Sequence, residues 1–225
     1  MTRFPARHKV PEFGLFASLL RMTTKYGFSD VRDQLVDDLK GAYPTKWEDY
    51  RGAKVLGENV FGAPLPHPNA VLNLFEAQNI RFAMPFAAYR ASLGGFGGLM
   101  SDKPGTVLSR RSLASTIQGM HTLSAVVTSV ARIIAYGRCL RVCPDKGCTL
   151  NVGVNPIEKR IEALGKVHVA MVDEREGELL DPPSLKHLLC APCANYVEAC
   201  HTKSGPILWR DLPLWFNVSR GWDGL

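Results

Sequence analysis

From Ser109 to Tyr136 the apolar residues Leu113, Ile117, Met120, Leu123, Val127, Val130 and Ile134 recur at steps of three and four. A strand would alternate at every second residue, so this step assigns the whole stretch to one amphipathic helix. Such a helix is far longer than the usual ~11–12 residues and must find packing partners along its length. It reads as the spine of the C-terminal half. Its lone His121 reads as a packed or half-exposed residue rather than a ligand.

The same step governs the rest of the chain. Phe13, Phe16, Leu19, Leu20 and Thr23 form one stripe, closed by Tyr26-Gly27. Ser29 suits the N-cap of a second helix carrying Val31, Leu35, Val36 and Leu39, and Gly41 ends it, which predicts a helical hairpin. Thr45 with Glu48 fits a capping box for a brief third helix. Gly52, Gly57, Gly62, Pro64 and Pro66 mark residues 51–66 as a loop. A helix opens near Pro68 with Val71, Leu72, Leu74 and Phe75, and another runs from Phe82 to Leu93. Gly94-Gly95-Phe96-Gly97-Gly98 reads as the stop of the latter; it lacks the Lys-Ser/Thr ending and the preceding strand of a phosphate-binding loop. Pro156 suits the first turn of a helix with Ile157, Ile161, Leu164, His168 and Met171 on one face. Asp181-Pro182-Pro183 then turns the chain, and Ser184 caps a further helical segment. Only Val167 to Val172 is ambiguous with a strand, so the fold class is all-α.

Composition narrows the function classes. Of 225 residues, 46% are hydrophobic and 21% charged, which excludes a disordered tail, a collagen-like fibre and a disulfide-dense miniature scaffold. The net charge of +6 is spread along the chain instead of gathered into Lys/Arg runs, a weak pointer to nucleic acid. The most apolar stretch, Ala125 to Tyr136, is broken by Thr128, Ser129 and Arg132 and falls short of a membrane span. Met1 to Pro5 leads into charge rather than an apolar export signal, so the expected location is intracellular, in cytoplasm or nucleus.

All six cysteines, Cys139, Cys143, Cys148, Cys190, Cys193 and Cys200, fall after residue 138. In a reducing compartment paired cysteines point to metal before disulfide. Cys143 and Cys148 flank a Pro-Asp-Lys-Gly turn, while Cys190 and Cys193 flank Ala-Pro at the start of a helix. Each spacing lets two thiolates converge on one ion, and two such knuckles complete a tetrahedral zinc site. Cys139, Cys200 and His201 are substitute ligands. Six unconnected reduced thiols are the plain alternative. A redox reading rests on Cys190-Ala-Pro-Cys193, because a thiolate at a helix N-terminus has a lowered pKa. Thioredoxin-type sites place that motif after a buried strand, whereas Ser184 to Leu189 looks helical. No G-x-S-x-G elbow or H-E-x-x-H helix occurs, and Asp37-Asp38 and Asp173-Glu174 with Glu176 and Glu178 read as solvated faces. Trp209, Trp215 and Trp222 around Leu212-Pro213-Leu214 read as an anchor for the C-terminal tail.

Several of these segments resemble one family in order. Leu20-Arg-Met-Thr-Thr-Lys-Tyr-Gly-Phe-Ser-Asp-Val-Arg-Asp-Gln-Leu35, followed by Ala42-Tyr-Pro-Thr45, is similar to the end of the BTB/POZ domain in fungal (basidiomycete-type) BTB-domain proteins. His67-Pro, Ala70 to Phe75 and Phe86-Ala-Ala-Tyr89 resemble the first helical pair of their C-terminal extension. Leu189-Cys-Ala-Pro-Cys193, Glu198-Ala-Cys-His201 and Trp209-Arg-Asp-Leu-Pro213 resemble its C-terminal signature. The resemblance implies that residues 1–50 are the helical end of a BTB/POZ-like domain whose core is missing. Residues 51–66 are then a linker, and 67–225 an irregular helical extension with cysteine knuckles. Gly205-Pro206 falls where the family's last helix is continuous, so that helix is expected to break here.

The function this implies is a non-enzymatic protein–protein interaction adaptor with no catalytic residues. Zinc on Cys143, Cys148, Cys190 and Cys193 would pin the C-terminal segment to the long helix. The expected partners are proteins, including a cullin ligase or a second copy where a BTB core is present, and neither membrane nor nucleic acid. Alternatives from other classes are a C-x-x-C thiol–disulfide oxidoreductase and a zinc-dependent DNA-binding protein. The latter draws on Arg138, Arg141, Lys159, Arg160 and Lys166.

Overall fold

A computed structural model of the chain describes residues 12–40, 42–52, 61, 66–136, 190–219 and 221–222. These residues are helical, with no strand among them, so the all-α expectation holds. The helices expected after Pro156 and Ser184, and Gly41, lie outside the described residues. Two compact units result: Met1–Gly119 with Arg210–Leu225, and Met120–Trp209.

In the first unit, α1 (Phe13–Tyr26) buries Phe16, Ala17, Leu20 and Thr23. It ends at Gly27, whose φ of 70° lies in the left-handed region that favours glycine. The Gly27 and Phe28 N–H groups both donate to the Thr23 carbonyl, closing the helix end and turning the chain into α2 (Ser29–Lys40). Only Leu39 of α2 is fully buried, and its carbonyl accepts from the Ala42 and Tyr43 N–H groups at 2.9 and 2.8 Å. The brief α3 (Trp47–Gly52) follows.

Helix α4 (Pro68–Ala77) starts where its proline predicts. His67 is the cap, its Nδ1 accepting from the Asn69 N–H at 3.2 Å. After a 3₁₀ turn at Arg81–Ala83 comes α5 (Met84–Ser92), which packs closely on α4 and is buried around most of its circumference. Tyr43 sets its ring edge-on to Phe75 at 4.8 Å and to Phe86 at 6.0 Å, and Tyr50 approaches Phe86 at 5.8 Å. Each such pair adds about 0.5–1.5 kcal/mol beyond its area burial. Although Tyr43 is only half-buried as a residue, its hydroxyl is desolvated. Burial therefore pushes the phenol well above its ordinary range, against the opposing pull of Arg90.

The glycine run is more than a stop. It ends α5 at Ser92, but Gly95–Leu99 then forms a helical turn of its own, α6, with Leu99 buried. Two asparagines one turn apart on α4 hold the segment that follows. Asn69, 1% exposed, donates from Nδ2 to the Gly98, Leu99 and Thr106 carbonyls at 2.9, 3.4 and 3.1 Å. Asn73 donates to the Gly105 and Val107 carbonyls at 3.1 and 2.8 Å. A connection without regular structure is thereby tied to a core helix, its carbonyls satisfied by side chains.

The predicted spine is α7 (Arg110–Tyr136). Ser109 caps it, with Oγ accepting from the Ser112 N–H at 3.1 Å and its carbonyl from the Leu113 N–H at 2.9 Å. The last described helix, α8 (Ala191–Trp215), corrects the expected break: it runs through Gly205-Pro206 without interruption. Pro206 cannot donate to the Thr202 carbonyl, but both residues are exposed, a position where solvent access lowers the cost of an unpaired acceptor, and the helix continues. The end of α8 belongs to the first unit, where Leu212 and Phe216 are completely buried. The Phe216 ring lies against Gly119 of α7. In the second unit Leu123 and Trp209 are buried, whereas Trp215 and Trp222 of the first are half-buried. Of the three tryptophans expected to anchor the tail, Trp209 is thus buried, and in the first unit Leu212 and Phe216 are buried more fully than Trp215 and Trp222.

Candidate functional site

Two features qualify as candidate sites. The first is the outer face of the N-terminal hairpin. The hairpin is fixed from inside: Thr24 Oγ1 donates to Gln78 Oε1 at 2.7 Å, and an Arg32 guanidinium N–H to the Gln78 carbonyl at 3.2 Å. Phe61 covers Phe13 and Phe16 with ring contacts of 5.2 and 5.3 Å. This leaves a second stripe of α1, one residue round the helix, uncovered. Leu15, Met22 and Tyr26 follow at helical steps and are 56, 53 and 59% exposed. Phe28 continues it, its ring 6.4 Å from that of Tyr26, and Val31 on α2 is also exposed. Single exposed apolar residues mean little, but a run of five on one hairpin is the kind of patch that marks an interaction site. Exposed aspartates flank it on α2: Asp30, Asp33, Asp37 and Asp38. Asp37 is held by Lys40 at 2.7 Å and Asp33 faces Arg32 at 3.8 Å. Among the described residues, Asp30 and Asp38 form no ion pair, while on α1 Lys25 Nζ lies 5.4 Å from the Tyr26 ring centroid and Arg21 is exposed beside Met22, so the rim carries both signs.

The second feature is the cysteine pair. Cys190 is half-buried and immediately precedes α8, and Cys193 falls in its first turn, the placement that the C-x-x-C spacing predicts. Such a placement suits a two-thiolate knuckle, since residues at both ends of one tight turn can share an ion. It equally suits a thiolate stabilised by a helix N-terminus. Cys143 and Cys148, the other half of the predicted quartet, lie outside the described residues, as does the substitute ligand Cys139. Among the described residues no group of three or more His, Cys, Asp or Glu side chains comes together. His121 is exposed. Among the described residues no helix is long and apolar enough to cross a membrane.

The sequence pattern shows one apolar stripe on α1, whereas the structure has two, one buried and one exposed. The signal was there: Leu15, Leu19, Met22 and Tyr26 repeat the spacing of Phe16, Leu20 and Thr23 one position earlier, making the apolar arc wider than one contact needs. Comparison of the chain with protein-family models, with curated proteins and with solved structures found no match.

Proposed function

We propose that this chain is a non-enzymatic protein-interaction module, an adaptor of the BTB/POZ type, whose N-terminal hairpin receives a partner. The observation that carries the reading is the uncovered stripe of Leu15, Met22, Tyr26, Phe28 and Val31. Its complement is the apolar face of an amphipathic segment of another protein, edged with charges of both signs to match Lys25 on one side and the α2 aspartates on the other. The ordered resemblance of the sequence to fungal BTB-domain proteins supports the same class. Zinc held by Cys143, Cys148, Cys190 and Cys193 belongs to this reading as a structural staple. The placement of Cys190 and Cys193 around the start of α8 supports that half of the site.

The test pairs Leu15→Glu with Met22→Glu. Both positions are exposed, so the doubly substituted chain should melt as the parent does and lose the partners the parent retains from a cell extract. An identical partner set for both chains overturns the hairpin assignment. Metal analysis of the reduced protein should show stoichiometric zinc, and Cys190→Ser should lower both zinc content and melting temperature; metal-free protein with unchanged melting removes the staple. The position of Cys190 directly ahead of a helix keeps one alternative, a thiol–disulfide oxidoreductase. It demands a reactive thiolate, and an alkylation profile with an ordinary midpoint near about 8.5 dismisses it.

A further inference from the structure

A cavity of about 160 Å³ opens in the first unit, where the ends of α4 and α8 meet the beginning of α7. Its apolar wall is Leu72, Met84, Ala88 and Phe216, of which Leu72 and Phe216 are almost wholly buried. Its polar side holds Glu76, Arg81, Arg111 and Ser115. An engineered apolar cavity of ~150 Å³ holds a benzene molecule, so the space suits a body of about six carbons.

The polar groups differ in what they have left to offer. Glu76 is committed: Oε1 accepts from the Ser109 hydroxyl at 3.1 Å and Oε2 from the Ser112 hydroxyl at 2.9 Å. Both serines lie at the N-terminal end of α7, whose partial positive charge favours a carboxylate there. The arginines are different. Arg81 uses Nε on the Asn79 side-chain oxygen at 3.1 Å, leaving its terminal amino groups, and Arg111 extends from the first turn of α7. Among the described residues neither guanidinium pairs with a carboxylate. Two guanidiniums against one engaged carboxylate give the cavity a net charge of one positive unit beside an apolar wall.

We infer that this cavity binds a small monocarboxylate with an aromatic or branched aliphatic body, the carboxylate between Arg81 and Arg111 and the body against Leu72, Met84 and Phe216. A cation would meet two guanidiniums and an already satisfied glutamate. Inorganic phosphate would leave the apolar wall unused and carry more charge than the lining balances. Guanidinium–carboxylate contacts are commonly bidentate, which fixes the ligand's orientation as well as its charge.

The experiment follows amide chemical shifts of the full chain while benzoate is added, with benzylamine and inorganic phosphate as separate titrations. Benzoate should give saturable shifts centred on Asn79, Arg111 and Asn217. Arg111→Gln and Arg81→Gln, both at exposed positions, should each weaken binding by about tenfold, the loss expected for one charged hydrogen-bonded contact. Their melting temperatures should match the parent's, which separates lost binding from lost fold. Benzylamine and phosphate should bind at least about tenfold more weakly than benzoate. Absence of saturable shifts at about 10 mM benzoate, shifts centred elsewhere, equal binding of benzylamine or phosphate, or unchanged affinity in Arg111→Gln overturns the assignment.

Discussion

Replacing Gly119 with alanine should destabilise the protein, although alanine is the better helix former. On propensity alone the change inside α7 would stabilise by about 1 kcal/mol. The surroundings reverse the sign. A Cβ at residue 119 would sit inside van der Waals distance of three Phe216 ring carbons, 2.8 Å from the farthest of them. Carbon atoms prefer ~3.5–4.0 Å, so ring and helix must separate by about 1 Å. Phe216 is 0% exposed, so its ring can back away from the helix only by intruding on the cavity it lines. Forcing a methyl into such a contact costs about 1–3 kcal/mol, and expelling the ring would cost about 3–5 kcal/mol, as a Phe→Ala truncation does. Taking the upper end of that strain range, ~3 kcal/mol, for so short a contact, net destabilisation should be about 2 kcal/mol once propensity is set against it. For a chain of this size that lowers the melting temperature by roughly 4–8 °C. Thermal unfolding followed by circular dichroism reads it directly. Gly14→Ala in α1, with nothing within 4 Å of the added Cβ, is the control and should be neutral or stabilising. Phe216→Leu should relieve part of the clash, so the double variant should be less destabilised than the sum of the singles. A Gly119→Ala protein that melts at or above the parent temperature refutes the packing argument.

Three more outcomes follow from described contacts. Asn69→Ala leaves three carbonyls without their donor and should lower stability by about 1–3 kcal/mol in urea denaturation, with amide exchange of residues 98–107 accelerated; unaltered exchange there would contradict the staple. The folded state resists ionisation of Tyr43, so its contribution is fully present below the unfolded phenol value near ~10 and is lost as pH rises beyond it. Urea midpoints of the parent should therefore fall between about pH 10 and 12, and Tyr43→Phe, which keeps the ring, should flatten that fall; parallel curves would count against it. Pro206→Ala restores the missing N–H in α8 and should raise the melting temperature, by an amount bounded by the ~3 kcal/mol disadvantage of an internal proline. A drop would mean that the proline itself is required.

What could be read from residues was what repeats. The stripe of α1 and its Gly27 end, the spine of α7 and the proline opening α4 all express a period or a helix-end signal, which local chemistry dictates. What was missed depends on partners distant in sequence. Gly119 looks like a weak spot in a helix until Phe216 is placed against it. Asn69 and Asn73 look like poor helix formers until the carbonyls of residues 98–107 arrive. Arg81 and Arg111 are thirty positions apart in sequence and come to line one cavity where α4 is joined to the start of α7 through Glu76. Gly205-Pro206 shows the converse error: local rules predicted a break, but Thr202 and Pro206, on either side of the lost hydrogen bond, are exposed and the helix runs through.

The first unit is discontinuous along the chain, and that imposes a schedule on its birth. Leu212 and Phe216 complete a core begun by α1, α4 and α5, but about 90 residues are synthesised between Gly119 and Arg210. At the usual ~5–20 residues per second the nascent core waits about 5–20 s for its last two side chains. Throughout that interval the glycine notch in α7 and the apolar wall beside it lack their cover. The time taken to translate residues 120–209, and not only the stability of the finished fold, thus sets how long that surface stays open.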